Sequence, residues 1–415
     1  MKLTRLERSW ILYDVGNSAF IMLVSTIIPI FFKNIAASQG IADADSTAFW
    51  GYASSAATLI IALLGPVLGT VADGRGRKRP LFMGFLLLGI LALALLGFMP
   101  TWLLFLFMFV VAKVGYSGSI VFYDSMLTDV ADNERMDAVS SHGYAWGYIG
   151  SCIPFAACLL LVLGAPSLGM TAQNATALAF ILTAVWWALM SVPLLRRYEQ
   201  RYFVEPARNQ VRESLRMLKS TLGHIRENRA AFRFLLAFFF YIDGVYTIIE
   251  MATSYGKDVG IGDNDLLLAL LLTQIVAFPF AILFGALAKR FAAKRLISVC
   301  IIAYFGIALF ALQLDQTWEF WFLAVCVAMF QGGIQALSRS YFAKLIPKEH
   351  SNQFFGFFDI FGKGAAFTGT LLMGVVTQLS GTSTMGVAVI AAMFVAGFFL
   401  FRSVPDQETG TRRAG

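Results

Sequence analysis

Among the charged side chains inside apolar stretches of this 415-residue sequence, eight stand out as candidates: Asp14, Lys113, Asp124, Asp243, Glu250, Arg339, Asp359 and Lys363. A charge in hydrocarbon is costly unless it is paired or wetted, so each marks a candidate site. Helical spacing organises them. Asp243 and Glu250 are seven residues apart, about two turns, and share a face with Tyr246 between them. Gln331, Gln335 and Arg339 form a polar stripe, Lys113 lies with Tyr116 and Ser117, and Asp14 precedes Asn17 by about one turn. Asp359 and Lys363, four apart, can pair within one helix. Such groups offer binding and proton exchange. A desolvated carboxylate can load a proton on one side of a barrier and release it on the other, a role open to Asp243 and Glu250. Lys113, with Arg339 or Lys363, suits a carboxylate or phosphate, and a zwitterion would use both signs.

Each group also has a structural reading. Asp14 lies near the end of its run and can order helix ends with Asn17 or a neighbouring arginine. Asp124 and Arg339 lie near the inner mouth and can form one bridge that opens and closes, or Arg339 can snorkel to the headgroups. Asp359 and Lys363 can simply neutralise each other, and Glu250 lies toward the outer mouth. Lys113 and Asp243 have no opposite charge within four residues, which makes them the stronger candidates for lining a central cavity.

The elements that must position these groups are membrane spans. Hydrophobic residues make up 58% of the chain and charged ones 14%, against about a quarter in soluble domains. Apolar runs near the length of about 20 residues that crosses a bilayer fall at 9–34, 48–72, 80–99, 101–130, 138–164, 175–195, 232–257, 264–288, 296–313, 317–345, 353–379 and 383–402. Runs 101–130 and 317–345 exceed the hydrocarbon and are expected to project into the cytoplasm. Lys and Arg concentrate in alternate breaks (73–80, 130–137, 196–231, 289–295, 344–352) and at both ends, while 164–175 and 379–383 have none. That asymmetry places both termini in the cytoplasm. The first run follows Lys2, Arg5 and Arg8, contains Asp14 and Asn17, and is long enough to span, so it reads as an uncleaved first helix. The expected organisation is all-α and polytopic: a six-helix bundle over 1–197, a basic amphipathic linker over 198–231, and a second six-helix bundle over 232–415. In the linker, Val211, Leu215, Leu218, Leu222 and Ile225 have helical spacing that suits the inner leaflet, with a partner-binding helix as the alternative.

The halves repeat. Gly69-Thr-Val-Ala-Asp73 with Arg77-Lys78-Arg79 has a weaker echo 216 residues on, in Gly285-Ala-Leu-Ala-Lys289 with Lys294-Arg295. Tyr13-Asp14 and Tyr241-Ile-Asp243 open the first helix of each half, and Asp124 and Arg339, each followed by Ser, look like matching points of the fourth helices. A repeated six-helix unit is expected of the large two-bundle transporters. Within the first copy, Gly69 allows close helix approach, Gly76 a tight turn, and Asp73 can pair with Arg77 or cap a neighbouring helix.

This stretch, Gly69 through Asp73, Gly76, Arg77 and Lys78, resembles the loop signature of the major facilitator superfamily, with Gly74 where the pattern usually has arginine. The resemblance implies that this element is a gating latch. A narrower resemblance, to the vacuole-effluxer-like (unknown major facilitator) branch, rests on Trp10-Ile-Leu-Tyr13-Asp14-Val-Gly-Asn17-Ser18, Val121-Phe-Tyr-Asp124, Tyr241-Ile-Asp243-Gly244, Gln335-Ala-Leu-Ser338-Arg339-Ser340 and Phe354 through Asp359 and Lys363. Amino-acid export is the activity associated with the vacuolar members, and monomer is the superfamily default.

Other classes fare less well. The net charge of +7 falls in the breaks, which is topology and not a nucleic-acid surface. Three histidines (His142, His224, His350) near the breaks make no metal or nucleophile constellation, and no phosphate-binding loop is present, so neither an enzyme, a metal site, a cofactor nor an ATP-driven pump is expected. Cys152, Cys158, Cys300 and Cys326 all fall inside apolar runs and read as inert thiols. Trp102, Trp186, Trp187, Trp318 and Trp321 suit an interfacial belt. The leading expectation is a secondary carrier of a small polar solute by alternating access, with protons and membrane lipids as partners, in a bacterial cytoplasmic membrane. A lipid or lysolipid carrier and a non-transporting membrane sensor are the alternatives.

Overall fold

The computed structural model describes residues 2–205, 228–258 and 260–405, so the amphipathic stretch expected at 211–225 lies outside the described residues. The first helix begins earlier than hydropathy suggests, because Thr4 and Glu7 form a capping box: Thr4 Oγ1 accepts the Glu7 N–H at 3.1 Å, and Glu7 accepts the Thr4 N–H at 2.6 Å. The run expected at 9–34 is two helices, α1 (Arg5–Val24) and α2 (Ile27–Ser38). Pro29 has no N–H for the Ser25 carbonyl, Thr26 is non-helical (φ −134°, ψ −78°), and its hydroxyl turns back to the Met22 carbonyl at 2.5 Å. The remaining helices are α3 (Asp43–Ala72), α4 (Lys78–Leu96), α5 (Trp102–Ser125), α6 (Leu127–Val130), α7 (Asn133–Leu163), α8 (Ala172–Arg197), α9 (Arg229–Asp258), α10 (Asp263–Leu287), α11 (Ala293–Ala311), α12 (Thr317–Leu345), α13 (Ser351–Ser380) and α14 (Ser383–Arg402).

Counting α1–α2 and α5–α6 as one crossing each, the described residues contain 12 helical segments long and apolar enough to cross a membrane. Large apolar side chains point outward along them: Leu160 is 75% exposed, Leu163 77% and Leu379 83%. An aqueous surface would not carry so much apolar area, whereas hydrocarbon solvates it.

Contacts divide the chain into two compact units. Unit one is Met1–Asp132, His142–Leu215 and Lys348–Asp359; unit two is Asn133–Ser141, Arg216–Pro347 and Ile360–Gly415. The first turns of α7 therefore belong with the second unit and those of α13 with the first, a departure from the simple division at 197 and 232. Each unit carries the same pin between its first and fourth spans. In unit one, Tyr13 donates to Ser119 Oγ at 2.7 Å. In unit two, the Tyr241 hydroxyl and Ser338 Oγ are also 2.7 Å apart. These pins correct the sequence alignment of the halves. With Ser119 equivalent to Ser338, Arg339 corresponds to Ile120 and Asp124 to Ala343, so the two charges are four residues, about one turn, out of step.

Two of the expected belt tryptophans are packed inside unit one instead. Trp187 is fully buried, its ring 5.6 Å from that of Phe20, and Trp186 donates to the Val15 carbonyl at 3.3 Å. Trp318, 63% exposed, keeps the expected outward placement.

Candidate functional site

The turn between α3 and α4 is made by Gly76 at φ +70°, a conformation that favours glycine. One turn before it, Gly69 lets α3 meet the start of α13: a Cβ on Gly69 would lie 2.6 Å from the Asn352 carbonyl oxygen. That approach delivers Asp73 to the first turn of α13. Asp73 Oδ1 accepts the Asn352 backbone N–H at 2.9 Å and its side-chain Nδ2 at 2.8 Å, and Oδ2 accepts the Gln353 N–H at 3.1 Å. The carboxyl thus satisfies orphan donors at the positive end of a helix. Its own burial pushes it up to about 7, against the pull of Lys78 and of these hydrogen bonds. Of the two partners the sequence offers Asp73, Arg77 is exposed, and the cap on a neighbouring helix is what forms.

Lys78 lies beneath this contact. Its ammonium meets Asp129 Oδ2 at 2.8 Å with both side chains fully buried, and it also donates to Ser351 Oγ at 3.1 Å. Asp129 accepts three further bonds, from the Tyr198 hydroxyl at 2.5 Å and the Arg201 and Tyr202 N–H groups at 3.0 Å each. Residues just after α8 thereby form an extended strap, with Gln200 donating to the Ala72 carbonyl at 3.1 Å and Val204 N–H to the Asp73 carbonyl at 2.8 Å. All of these contacts are internal to unit one. The described start of the linker is this strap and not an amphipathic helix.

Unit two has a counterpart. A Cβ on Gly285 would lie 2.7 Å from Ser141 Cβ, so α10 admits the start of α7 as α3 admits the start of α13. Here the incoming helix brings the carboxylate: Asp137 accepts Ser340 Oγ at 2.7 Å and Lys344 Nζ at 2.6 Å. Arg339, 2% exposed, donates from Nε to Ser140 Oγ at 3.0 Å and from Nη2 to the Ser140 carbonyl at 3.2 Å. It does not snorkel to the surface.

The remaining candidates are spread along the spans. Asp243 in α9 is fully buried; Oδ1 accepts the Thr247 hydroxyl at 3.3 Å, and Oδ2 has no hydrogen-bond partner among the described residues. A side chain at Gly369 of α13 would strike Asp243 Oδ1 and Thr247 Oγ1. Tyr246 is half-buried and Glu250 exposed. Gln331 is buried with Nε2 lacking a partner among the described residues, and Gln335 is half-buried one turn on. Asn17 Nδ2 reaches Asp14 Oδ1 at 3.4 Å, both buried, matching the local reading of Asp14. Lys113, half-buried, has its ammonium 5.9 Å from the Phe109 ring centroid. Asp124, Asp359 and Lys363 are half-buried.

Comparison with known proteins decides the class. The family described as vacuole effluxer Atg22 like matches residues 4–135 and 128–415. The chain belongs to this family. The MFS-type transporter YxiO of Bacillus subtilis is 46% identical over 415 residues, covering 99% of this chain and 97% of YxiO. Autophagy-related protein 22-1 of Aspergillus niger is 26% identical over 304 residues, which is 66% of this chain and 48% of the fungal protein, so the chain spans about half the length of that relative. Among solved structures, the fucose:proton symporter FucP of E. coli aligns with TM-score 0.73 at 15% identity over 97% of this chain and 98% of FucP. The human organic anion transporter MFSD10 aligns equally well by TM-score, 0.73, at 13% identity over 95% and 98%. These two show the fold, that of the major facilitator superfamily. The Atg22-like chain is a multi-pass secondary transporter and not an enzyme.

Sequence reasoning missed Asp129, Ser351, Asn352 and the Tyr198–Gln200 strap. Asp129 carried a signal, an acid closing an apolar run just ahead of an acidic break, but its partner Lys78 is 51 residues away and sat in a motif already explained by topology.

Proposed function

We propose that the chain is a proton-coupled carrier of a small polar solute, an amino acid or a related zwitterion or organic anion, moved outward by alternating access. Asp243 carries the reading. Its carboxyl is fully buried in a span, with one oxygen bonded to Thr247 and the other without a hydrogen-bond partner among the described residues. Leaving a charge there uncompensated is costly, so its proton occupancy must respond whenever the site gains water or a solute cation. Lys113 in unit one and Gln335 in unit two are each a further candidate for contact with the solute. The family's description as an effluxer supports export. The Asp73 cap on α13 acts as the latch of one transport state, with Gly69, Gly76, Arg77 and Lys78 shaping its loop, and Arg339 and Asp124 serve the gate. The basic breaks support cytoplasmic termini in a bacterial inner membrane, and the protein works as a monomer.

The test is uptake of a labelled amino-acid mixture into proteoliposomes, with and without an imposed pH gradient. Gradient-driven accumulation is expected in the wild type and is abolished in Asp243→Asn, while solute exchange survives. Equal loss of both activities in a folded variant would make Asp243 a binding or structural residue and remove the coupling role.

A further inference from the structure

Within unit two, the half of the bundle that contains residues 247–255 and 320–331 lines a partly open cavity of about 130 Å³, its walls drawn from all six helices α9 to α14. Among the described residues the lining is apolar apart from Thr247, Tyr255, Thr273, Gln274 and Gln331, and none of these carries a charge. Of these, Thr247 donates to Asp243 and Thr273 to the Leu270 carbonyl at 2.6 Å. Gln331 is different: it is 4% exposed, and its Nε2 has no hydrogen-bond partner among the described residues. A buried amide donor in that state costs free energy that a guest acceptor would recover. Void of this size in an otherwise close-packed bundle also costs contacts that a guest would restore.

We infer that this cavity is a binding site for a compact neutral molecule, a six-carbon ring or alkyl body bearing one oxygen that accepts from Gln331. An engineered apolar cavity of about 150 Å³ takes benzene, so the volume suits one ring. Because none of the described wall residues carries a charge, the described lining favours a neutral guest over a carboxylate, phosphate or ammonium ion. A phenol fits both demands. Because α11 and α14 contribute to the walls, the site is internal to unit two, and its occupancy does not depend on the carrier reading.

Binding of 4-fluorophenol and of fluorobenzene, followed by ¹⁹F NMR on the protein in lipid nanodiscs, tests this without any gradient. Saturable 1:1 binding of both probes is expected. Gln331→Leu keeps the volume but removes the donor, and should weaken 4-fluorophenol roughly five- to tenfold while leaving fluorobenzene unchanged. Ala308→Phe fills the void and should abolish both. Non-saturable partitioning of both probes would overturn the site, and so would an equal response of the two probes to Gln331→Leu. The Gln331→Leu comparison decides the matter even if Ala308→Phe fails to fold.

Discussion

Gly69 and Gly285 occupy the same place in the two repeats, and each admits the start of another helix, yet the clasps they permit are built with opposite polarity. In unit one the carboxylate comes from the glycine's own loop: Asp73 follows Gly69 and reaches up to the amides of α13. In unit two the corresponding loop carries Lys289, which is exposed, and the carboxylate arrives on the incoming helix as Asp137. The first clasp is also drier. Lys78 and Asp129 are fully buried, whereas Lys344 and Asp137 are each 12% exposed. A duplicated backbone contact has thus kept its small residue and exchanged its charges, and the buried version is the one that can least tolerate losing a partner.

The largest expected effect follows from that difference. Removing one member of a buried pair strands the other, at about 3–5 kcal/mol, while pairs nearer solvent are worth about 0–1 kcal/mol. Lys78→Met should therefore lower thermal stability in detergent or nanodiscs far more than Lys344→Met does. Equal shifts would mean the two clasps are energetically alike despite their burial.

The glycines give the next contrast. At Gly69 the three nearest atoms to a Cβ are all backbone, at 2.6, 2.9 and 3.1 Å, whereas at Gly285 the two nearest belong to the Ser141 side chain. Gly69→Ala should cost about 1–3 kcal/mol, as overpacking does, and resist rescue by changing any single neighbouring side chain. Gly285→Ala should be rescued by Ser141→Gly. Melting temperatures of the single and double variants read both, and a Gly285→Ala defect that Ser141→Gly leaves intact would break the comparison. Smaller still, Asp73→Asn should cost about 1 kcal/mol because the amide keeps only one of the two acceptor oxygens of the cap, while Lys289→Ala leaves the melt unchanged.

The sequence made the spans and the first clasp's motif legible because hydropathy and small-residue spacing are local properties. Twelve runs foretell 12 segments, and Gly69, Asp73 and Gly76 announce a close approach and a turn. What escaped was decided by distant partners. Asp73 chose Asn352 over the nearby Arg77, and Lys78 chose Asp129, because burial rewards geometry over proximity in the chain. The break at Thr26 was readable from Pro29, but the apolar run on both sides masked it. Asp124 and Arg339 looked equivalent because each precedes a serine; only the Tyr13–Ser119 and Tyr241–Ser338 pins reveal the slip of one turn.

The last contrast is a titration that only the first clasp should show. Three donors and Lys78 favour the Asp73 carboxylate, but burial outweighs them and leaves its value at about 7, above the about 3.9 of a hydrated aspartate. The docked state therefore holds a proton more tightly than an undocked, solvated one. Its contribution to docking is fully present below the hydrated value and is lost as pH rises through about 7. Hydrogen exchange at the first amides of α13, corrected for the intrinsic rate, reads this directly. Protection of Asn352 and Gln353 should fall as pH rises from about 4 to about 7 and level off above that in the wild type and in Lys344→Met, and be flat in Asp73→Asn. Protection that rises over this range would show that the donors and Lys78 dominate burial, and that the first clasp tightens on ionisation.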